Sequence, residues 1–207
     1  MEPTDHNRRA WDEVHRPRSR EAAARLPEVV ERRLPALAGK HVLHLGCGTG
    51  EATAELAGLG ALVTGVDASA DAVAAARERA PAVAFVQGDP NQLPVELRRG
   101  RFDLVYTGLG TAFEAWAAGI AAALRPGGEL IVHDEHPVLA CLDDMLHWRD
   151  DYFAEGHRRL GEVVTVLVSA GLVVRGLDEL PSDDPLLPQT RRVPGELVLV
   201  ARKPEAP

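Results

Sequence analysis

From residue 41 onward, short apolar runs alternate with segments of helical period. His41-Val42-Leu43-His44-Leu45 reads as a strand, followed by the glycine-rich run Gly46-Cys47-Gly48-Thr49-Gly50 and a helix-favouring stretch from Glu51 to Leu59. Ala61 to Val66 is a second strand ending at Asp67, and Ser69 is a good N-cap for a helix that reaches about Ala80 and stops at Pro81. Val83 to Val86 reads as a third strand, ending at Asp89, and Phe102 to Tyr106 as a fourth. Phe113, Trp116, Ala117, Ile120, Ala121 and Leu124 then recur at 3.6-residue spacing, before Pro126-Gly127-Gly128 turns into a fifth strand, Glu129 to Val132.

Strands alternating with helices through short turns specify a parallel sheet covered on both faces. After Asp150 the pattern changes. Leu160, Val163, Val164, Leu167 and Val168 form one helical face closed by Gly171, and Leu172 to Leu177 and Glu196 to Ala201 read as two strands. The Pro- and Asp-rich loop between those strands has no helical period to serve as a crossover, so they form an antiparallel hairpin. The first forty residues are charged and helical. They suggest a short helix over Asn7 to Val14, carrying Trp11, and a second over Glu21 to Leu37, interrupted by Pro27 and Pro35.

With 207 residues, 45% hydrophobic and 26% charged, the chain suits one ordinary globular domain rather than two. A net charge of −8, with its Arg pairs scattered along the sequence, argues against a phosphate-gripping nucleic-acid partner. No apolar run is long enough for a bilayer, and Met1-Glu2-Pro3-Thr4-Asp5 lacks the basic-then-apolar order of a secretory signal. Cys47 and Cys141 form neither a disulfide framework nor a zinc cluster. The expected location is therefore cytoplasmic, with no membrane partner and no metal.

In a doubly wound sheet, ligands bind beyond the carboxyl ends of the strands where the strand order reverses. The glycine run follows the first strand and opens the first helix, where tight turning and helix-start N–H groups favour close approach of a ligand. Asp67 ends the second strand about twenty residues downstream, where a carboxylate can accept the hydroxyls of a ribose. Asp89 ends the third strand, in reach of the adenine end of a nucleoside. A dinucleotide fingerprint needs a third glycine, G-x-G-x-x-G, yet Glu51 stands there. That carboxylate would repel a pyrophosphate but tolerate a zwitterionic methionine end, so the spacing leans toward S-adenosyl-L-methionine (SAM) over NAD.

At these residues the chain resembles the class I SAM-dependent methyltransferase family. His-Leu-Gly-Cys-Gly-Thr-Gly (44–50) is similar to the family's first motif, Val-Thr-Gly-Val-Asp-Ala-Ser (63–69) to its ribose-binding strand end, Phe-Val-Gln-Gly-Asp (85–89) to its adenine segment, and Leu-Arg-Pro-Gly-Gly-Glu-Leu (124–130) to its turn into strand five. The resemblance implies a Rossmann-like α/β fold: a seven-stranded, mostly parallel sheet of order 3-2-1-4-5-7-6, strand seven antiparallel, with helices on both faces. It implies a single domain, with residues 1–38 as an N-terminal helical lid, 41–135 as the SAM-binding core and 136–207 as the acceptor side with a C-terminal hairpin. Gly46, Cys47, Gly48 and Gly50 would pass the methionine moiety, Asp67 and Ala68 would hold the ribose, Asp89 would meet the adenine amino group, and Thr107 would lie near the methionine amine. The sequence departs from the family at His44, where an acidic residue is usual, and at Pro90, which offers no N–H to adenine. A looser similarity joins Asn-Arg-Arg-Ala-Trp-Asp (7–12), His-Pro-Val-Leu (136–139) and Leu-Gly-Glu-Val-Val (160–164) to a bacterial subgroup of unassigned substrate.

The reaction so implied carries a methyl group from SAM to an acceptor and releases S-adenosyl-L-homocysteine (SAH). Tyr106-Thr107-Gly108-Leu109 replaces the Asn-Pro-Pro-Tyr-like segment that marks base and glutamine amine methylation in the family, so a small-molecule acceptor is expected. A general base is required only where the acceptor must lose a proton. Candidates cluster at His133, Asp134, Glu135 and His136, with His136 foremost as the base and Asp134 as its orienting partner. Tyr106 is another candidate, and Trp148, Tyr152 and Phe153 could wall an acceptor pocket. Two other readings are a SAM-fold protein that binds SAM or SAH without methyl transfer, as a regulatory or structural subunit, and a NAD-dependent dehydrogenase.

Overall fold

The structure, a computed structural model, describes residues 25–143, 147–154, 156–181 and 193–205. The expected helix over Asn7 to Val14, with Trp11, and most of the loop before the last strand lie outside them.

Seven strands form one sheet: β1 (His41–Leu45), β2 (Leu62–Asp67), β3 (Ala84–Gln87), β4 (Phe102–Thr107), β5 (Leu124–Glu135), β6 (Val173–Pro181) and β7 (Pro194–Arg202). Their order is β3-β2-β1-β4-β5-β7-β6. The first five are mutually parallel, and β7 runs antiparallel between β5 and β6. This is the architecture the sequence implies. The last three strands extend further than their apolar patterns suggested. Backbone pairing carries β5 through the polar His133, Asp134 and Glu135, and β6 and β7 past Leu177 and Ala201.

The helices are α1 (Glu28–Glu31), α2 (Glu51–Gly58), α3 (Ala70–Arg79), α4 (Phe113–Ala123) and α5 (Leu160–Ser169). The helix expected over Glu21 to Leu37 shrinks, within the described residues, to the single turn α1. Pro27 is its extended N-cap, and the turn ends at Arg32, before Pro35. Ser69 caps α3 as expected, its hydroxyl accepting from the Ala72 N–H at 3.2 Å.

Two apolar layers sandwich the sheet. On one face Trp116, Ala117 and Ile120 of α4 and Val163 and Leu167 of α5 pack on Leu43, Val105, Leu130 and Leu199. On the other, Val30 of α1 and Ala52 and Leu56 of α2 pack on Val42, Val63, Leu104, Ile131 and Val198. Val73 and Ala76 of α3 extend that layer over Phe85. The two-sided burial fixes the strands rigidly and leaves chemistry to the loops at their carboxyl ends.

Candidate functional site

The strand order reverses between β1 and β4, and most of the residues singled out in the sequence lie near the carboxyl ends of β1 to β5. The turn after β1 is shaped by three glycines with left-handed backbone: Gly46 at φ +72°, Gly48 at +52° and Gly50 at +88°. They do different jobs. A Cβ on Gly46 or Gly48 would meet no atom within 4 Å, whereas one on Gly50 would stand 2.9 Å from Ala76 Cβ. Gly50 therefore supplies close packing between the turn and α3. Gly46 and Gly48 leave open space along the turn.

Asp67 closes the other side. Its Oδ2 accepts the Gly48 N–H at 2.8 Å and its Oδ1 the Ser69 N–H at 2.9 Å. The Gly46 and Cys47 N–H groups both donate to the carbonyl of Val66, one residue earlier. The turn after β1 and the end of β2 are thus bound together through five residues, with Ala68 between Asp67 and the N-cap of α3. Burial and the nearby Asp67 carboxylate push the Cys47 thiol up to about 12, so it stays a neutral, packed thiol rather than a nucleophile.

Asp89 accepts from both the backbone and side-chain N–H groups of Asn91 through one oxygen, Oδ1, at 2.8 and 3.1 Å. Asn91 Oδ1 in turn accepts from the Thr111 and Ala112 N–H groups, at 2.7 and 3.2 Å, and so ties the loop after β3 to the loop after β4. Sequence reading missed Asn91. Its only signal was membership of a good turn sequence, which does not show what the side chain would reach. Thr107 is buried at the end of β4, its hydroxyl donating to the Gly108 carbonyl.

His44 is buried on β1, hydrogen-bonded through Nδ1 to the Thr53 hydroxyl of α2 at 2.8 Å, with its ring centroid 4.8 Å from that of Tyr106 at a 31° tilt. Burial lowers its pKa from 6.5 to about 4, so at neutral pH it carries no charge. Tyr106 is raised above its ordinary range by burial, reinforced by the carboxylates of Asp134 and Glu196.

The expected His136–Asp134 pair does not form. Asp134 Oδ2 accepts the Leu109 N–H at 2.7 Å and its Oδ1 the Glu135 N–H at 2.8 Å, so this carboxylate fastens the loop after β4. His136 is buried. Its Nδ1 accepts the Val138 N–H at 3.1 Å, and its Nε2 lies 2.9 Å from Glu179 Oε1 but without the angular geometry of a hydrogen bond. β5 ends at Glu135, and His136 turns into the following helical turn, Pro137–Cys141, while Asp134 stays on the strand and reaches the loop after β4. His133, by contrast, meets Glu196 Oε2 of β7 through Nε2 at 2.9 Å. Neither glutamate was visible as a partner in the sequence, because each reaches its histidine only through the register of the hairpin strands.

The segment after β5 returns over the same edge. Arg158 approaches the Leu109 carbonyl at 3.5 Å, and the Tyr152 hydroxyl accepts the Leu160 N–H at 2.9 Å. Trp148 and Phe153 are largely exposed, so neither caps the core. Among the described residues no group of three or more His, Cys, Asp or Glu could hold a metal ion, and no helix is long and apolar enough to cross a membrane.

Residues 42–128 match the family described as a methyltransferase domain. This matched segment is less than half of the chain, and the strand order around it is that of the class I SAM-dependent methyltransferase fold, to which the chain is similar. It is similar to an uncharacterized methyltransferase of Synechocystis sp., 38% identical over 104 residues covering 47% of this chain and 48% of that one. It is also similar to the trans-aconitate 2-methyltransferase of Paracidovorax citrulli, 40% identical over 116 residues, 48% of this chain and 40% of that one. The chain thus spans less than half the length of these two relatives. Among solved structures, a SAM-dependent methyltransferase-type protein of Listeria monocytogenes superposes with a TM-score of 0.75 at 25% identity, covering 89% of this chain and 99% of that one.

Proposed function

We propose that the chain transfers a methyl group from SAM to a small-molecule acceptor. The observation that carries this reading is the convergence of the open turn at Gly46 to Gly50 on the Asp67 carboxylate. When bound, SAM supplies an electrophilic methyl carbon on a sulfonium, displaced in line by the acceptor. Gly46, Cys47, Gly48 and Gly50 would line its methionine end, with Gly46 and Gly48 leaving open space beside the turn. Asp67 and Ala68 would hold the ribose: each Asp67 oxygen accepts one backbone N–H and keeps a lone pair for a hydroxyl. Asp89 would take the adenine amino group through Oδ2, which accepts no hydrogen bond among the described residues. Thr107 would border the methionine amine, and neutral His44 would add no charge there.

Positioning supplies much of the rate in such a displacement. Asp134 would contribute by holding the loop that carries Gly108 and Leu109 at the acceptor edge. The acceptor side would be formed by residues 136–207, with a small organic molecule favoured over nucleic acid by the acidic charge and by the trans-aconitate activity of one relative.

Calorimetry with SAH, followed by a panel of phenols, carboxylic acids and amines scored by SAH release, tests the reading. Binding with release from some compound supports methyl transfer. Binding with no release anywhere favours a protein that holds SAM or SAH without transfer, and no binding of either overturns the assignment.

A further inference from the structure

Two histidines at the carboxyl end of β5 each meet a glutamate from the hairpin, and their ring nitrogens are used differently. Both nitrogens of His136 are taken out of play: Nδ1 accepts the Val138 N–H, and Nε2 is buried against Glu179. An imidazole whose Nδ1 accepts a hydrogen bond carries its proton on Nε2 when neutral. It therefore has no lone pair free to receive a proton.

His133 has the opposite arrangement. Glu196 can only accept at Nε2, so the neutral ring carries its proton there, and the lone pair stays on Nδ1. Among the described residues Nδ1 makes no hydrogen bond, and the side chain keeps 17% of its surface exposed. His133 lies diagonally across from Glu196, since Glu135 is Glu196's direct partner and Val198 is that of His133. The pair faces the same side of the sheet as His44 and Tyr106, whose phenol is close enough to feel the Glu196 carboxylate.

We propose that His133, oriented by Glu196, is the residue that receives the acceptor's proton at Nδ1 during methyl transfer, and that the acceptor carries an ionisable O–H or N–H at its reacting atom. This rests on the methyltransferase reading above. The acceptor oxygen or nitrogen forms its bond to the methyl carbon as the carbon–sulfur bond breaks. The displaced proton passes to His133 Nδ1, and the electron pair of the broken bond remains on the sulfur of the departing SAH. Glu196 is a positioning residue: it fixes the tautomer and stabilises the imidazolium, as a carboxylate does for any histidine base.

The test uses the full chain and needs no known acceptor for its first arm. Carbethoxylation by diethyl pyrocarbonate, mapped by mass spectrometry, should modify His133 at least tenfold faster than His44 or His136. Glu196→Gln should slow that reaction several-fold and Glu196→Asp should largely restore it, while His133→Asn leaves SAH affinity within about twofold of the parent. For any compound methylated in the panel, His133→Asn should lower kcat by about 10²–10⁴-fold, and Glu196→Gln should lower kcat with little change in KM. His133 reacting no faster than His136, Glu196→Gln leaving its reactivity unchanged, or turnover surviving His133→Asn would each overturn the proposal while SAH binding stands. Loss of SAH binding in the parent chain would instead remove the methyltransferase reading beneath it.

Discussion

The Gly48 N–H and the Asp67 carboxylate meet at 2.8 Å, although nineteen residues separate them along the chain. The contact fuses the glycine turn after β1 to the end of β2, so that a single carboxylate both shapes the turn and faces the space beside it. A group spared ordering on binding strengthens affinity, because the entropy has been lost already in folding.

The three glycines of the turn should separate stability from binding. Gly50→Ala adds a side chain at φ +88° and drives its Cβ to 2.9 Å from Ala76. Left-handed strain and overpacking together should cost about 2–4 kcal/mol, seen as a Tm lower by roughly 5–15 °C. Gly48→Ala faces open space and should cost only about 1–2 kcal/mol of strain, yet weaken SAH binding more than Gly50→Ala does. Thermal melts beside calorimetry of the two variants check this ordering.

His44 makes stability depend on pH. The unfolded histidine titrates near 6.5 and the folded one near 4, so the unfolded state takes up the proton first as pH falls. The contribution is fully present above pH 6.5 and is lost between there and about 4, amounting to about 3 kcal/mol in all. Urea denaturation of the parent and of His44→Asn at pH 7 and pH 4.5 should give a smaller difference between the two pH values in the variant.

Asp134 should matter to the acceptor loop rather than to the cofactor. Asp134→Ala leaves the Leu109 N–H without its acceptor, a loss of about 1–3 kcal/mol if that donor stays buried. SAH affinity should change by less than about threefold while the Tm falls. A loss of SAH binding as large as that of an Asp67 variant would contradict the division of roles.

Asn91 should couple the adenine side to the loop after β4. Asn91→Ala frees the Thr111 and Ala112 N–H groups and removes the side-chain donor to Asp89 Oδ1, leaving only the backbone N–H of residue 91 there. Hydrogen exchange should quicken at Thr111 and Ala112 while the strands keep their protection.

The parallel sheet, the roles of Gly46 to Gly50 as a turn and the reach of Asp67 were legible because each rests on local spacing: an apolar run, a glycine bend and a carboxylate at the next strand end. The swap of partners at His133 and His136 was not legible. It depends on which residues of β6 and β7 lie opposite β5, and a hairpin's register is set by pairing across a long loop rather than by the residues near the histidines. Asp134 was misread for a different reason: β5 ends at Glu135, His136 turns into the short helical turn Pro137–Cys141, and Asp134 is taken up by the loop after β4. His44 stood out as a departure from the family, but its burial against Thr53 and Tyr106 needed the packing of α2 on the sheet.

The central claim is that the turn at 46–50 and Asp67 form one nucleoside pocket, and SAH titrated calorimetrically into the parent chain and Asp67→Ala tests it most directly. The account predicts saturable binding to the parent at one site per chain, weakened roughly 5–150-fold in the variant, the equivalent of about 1–3 kcal/mol. Equal affinity in the two proteins would contradict it.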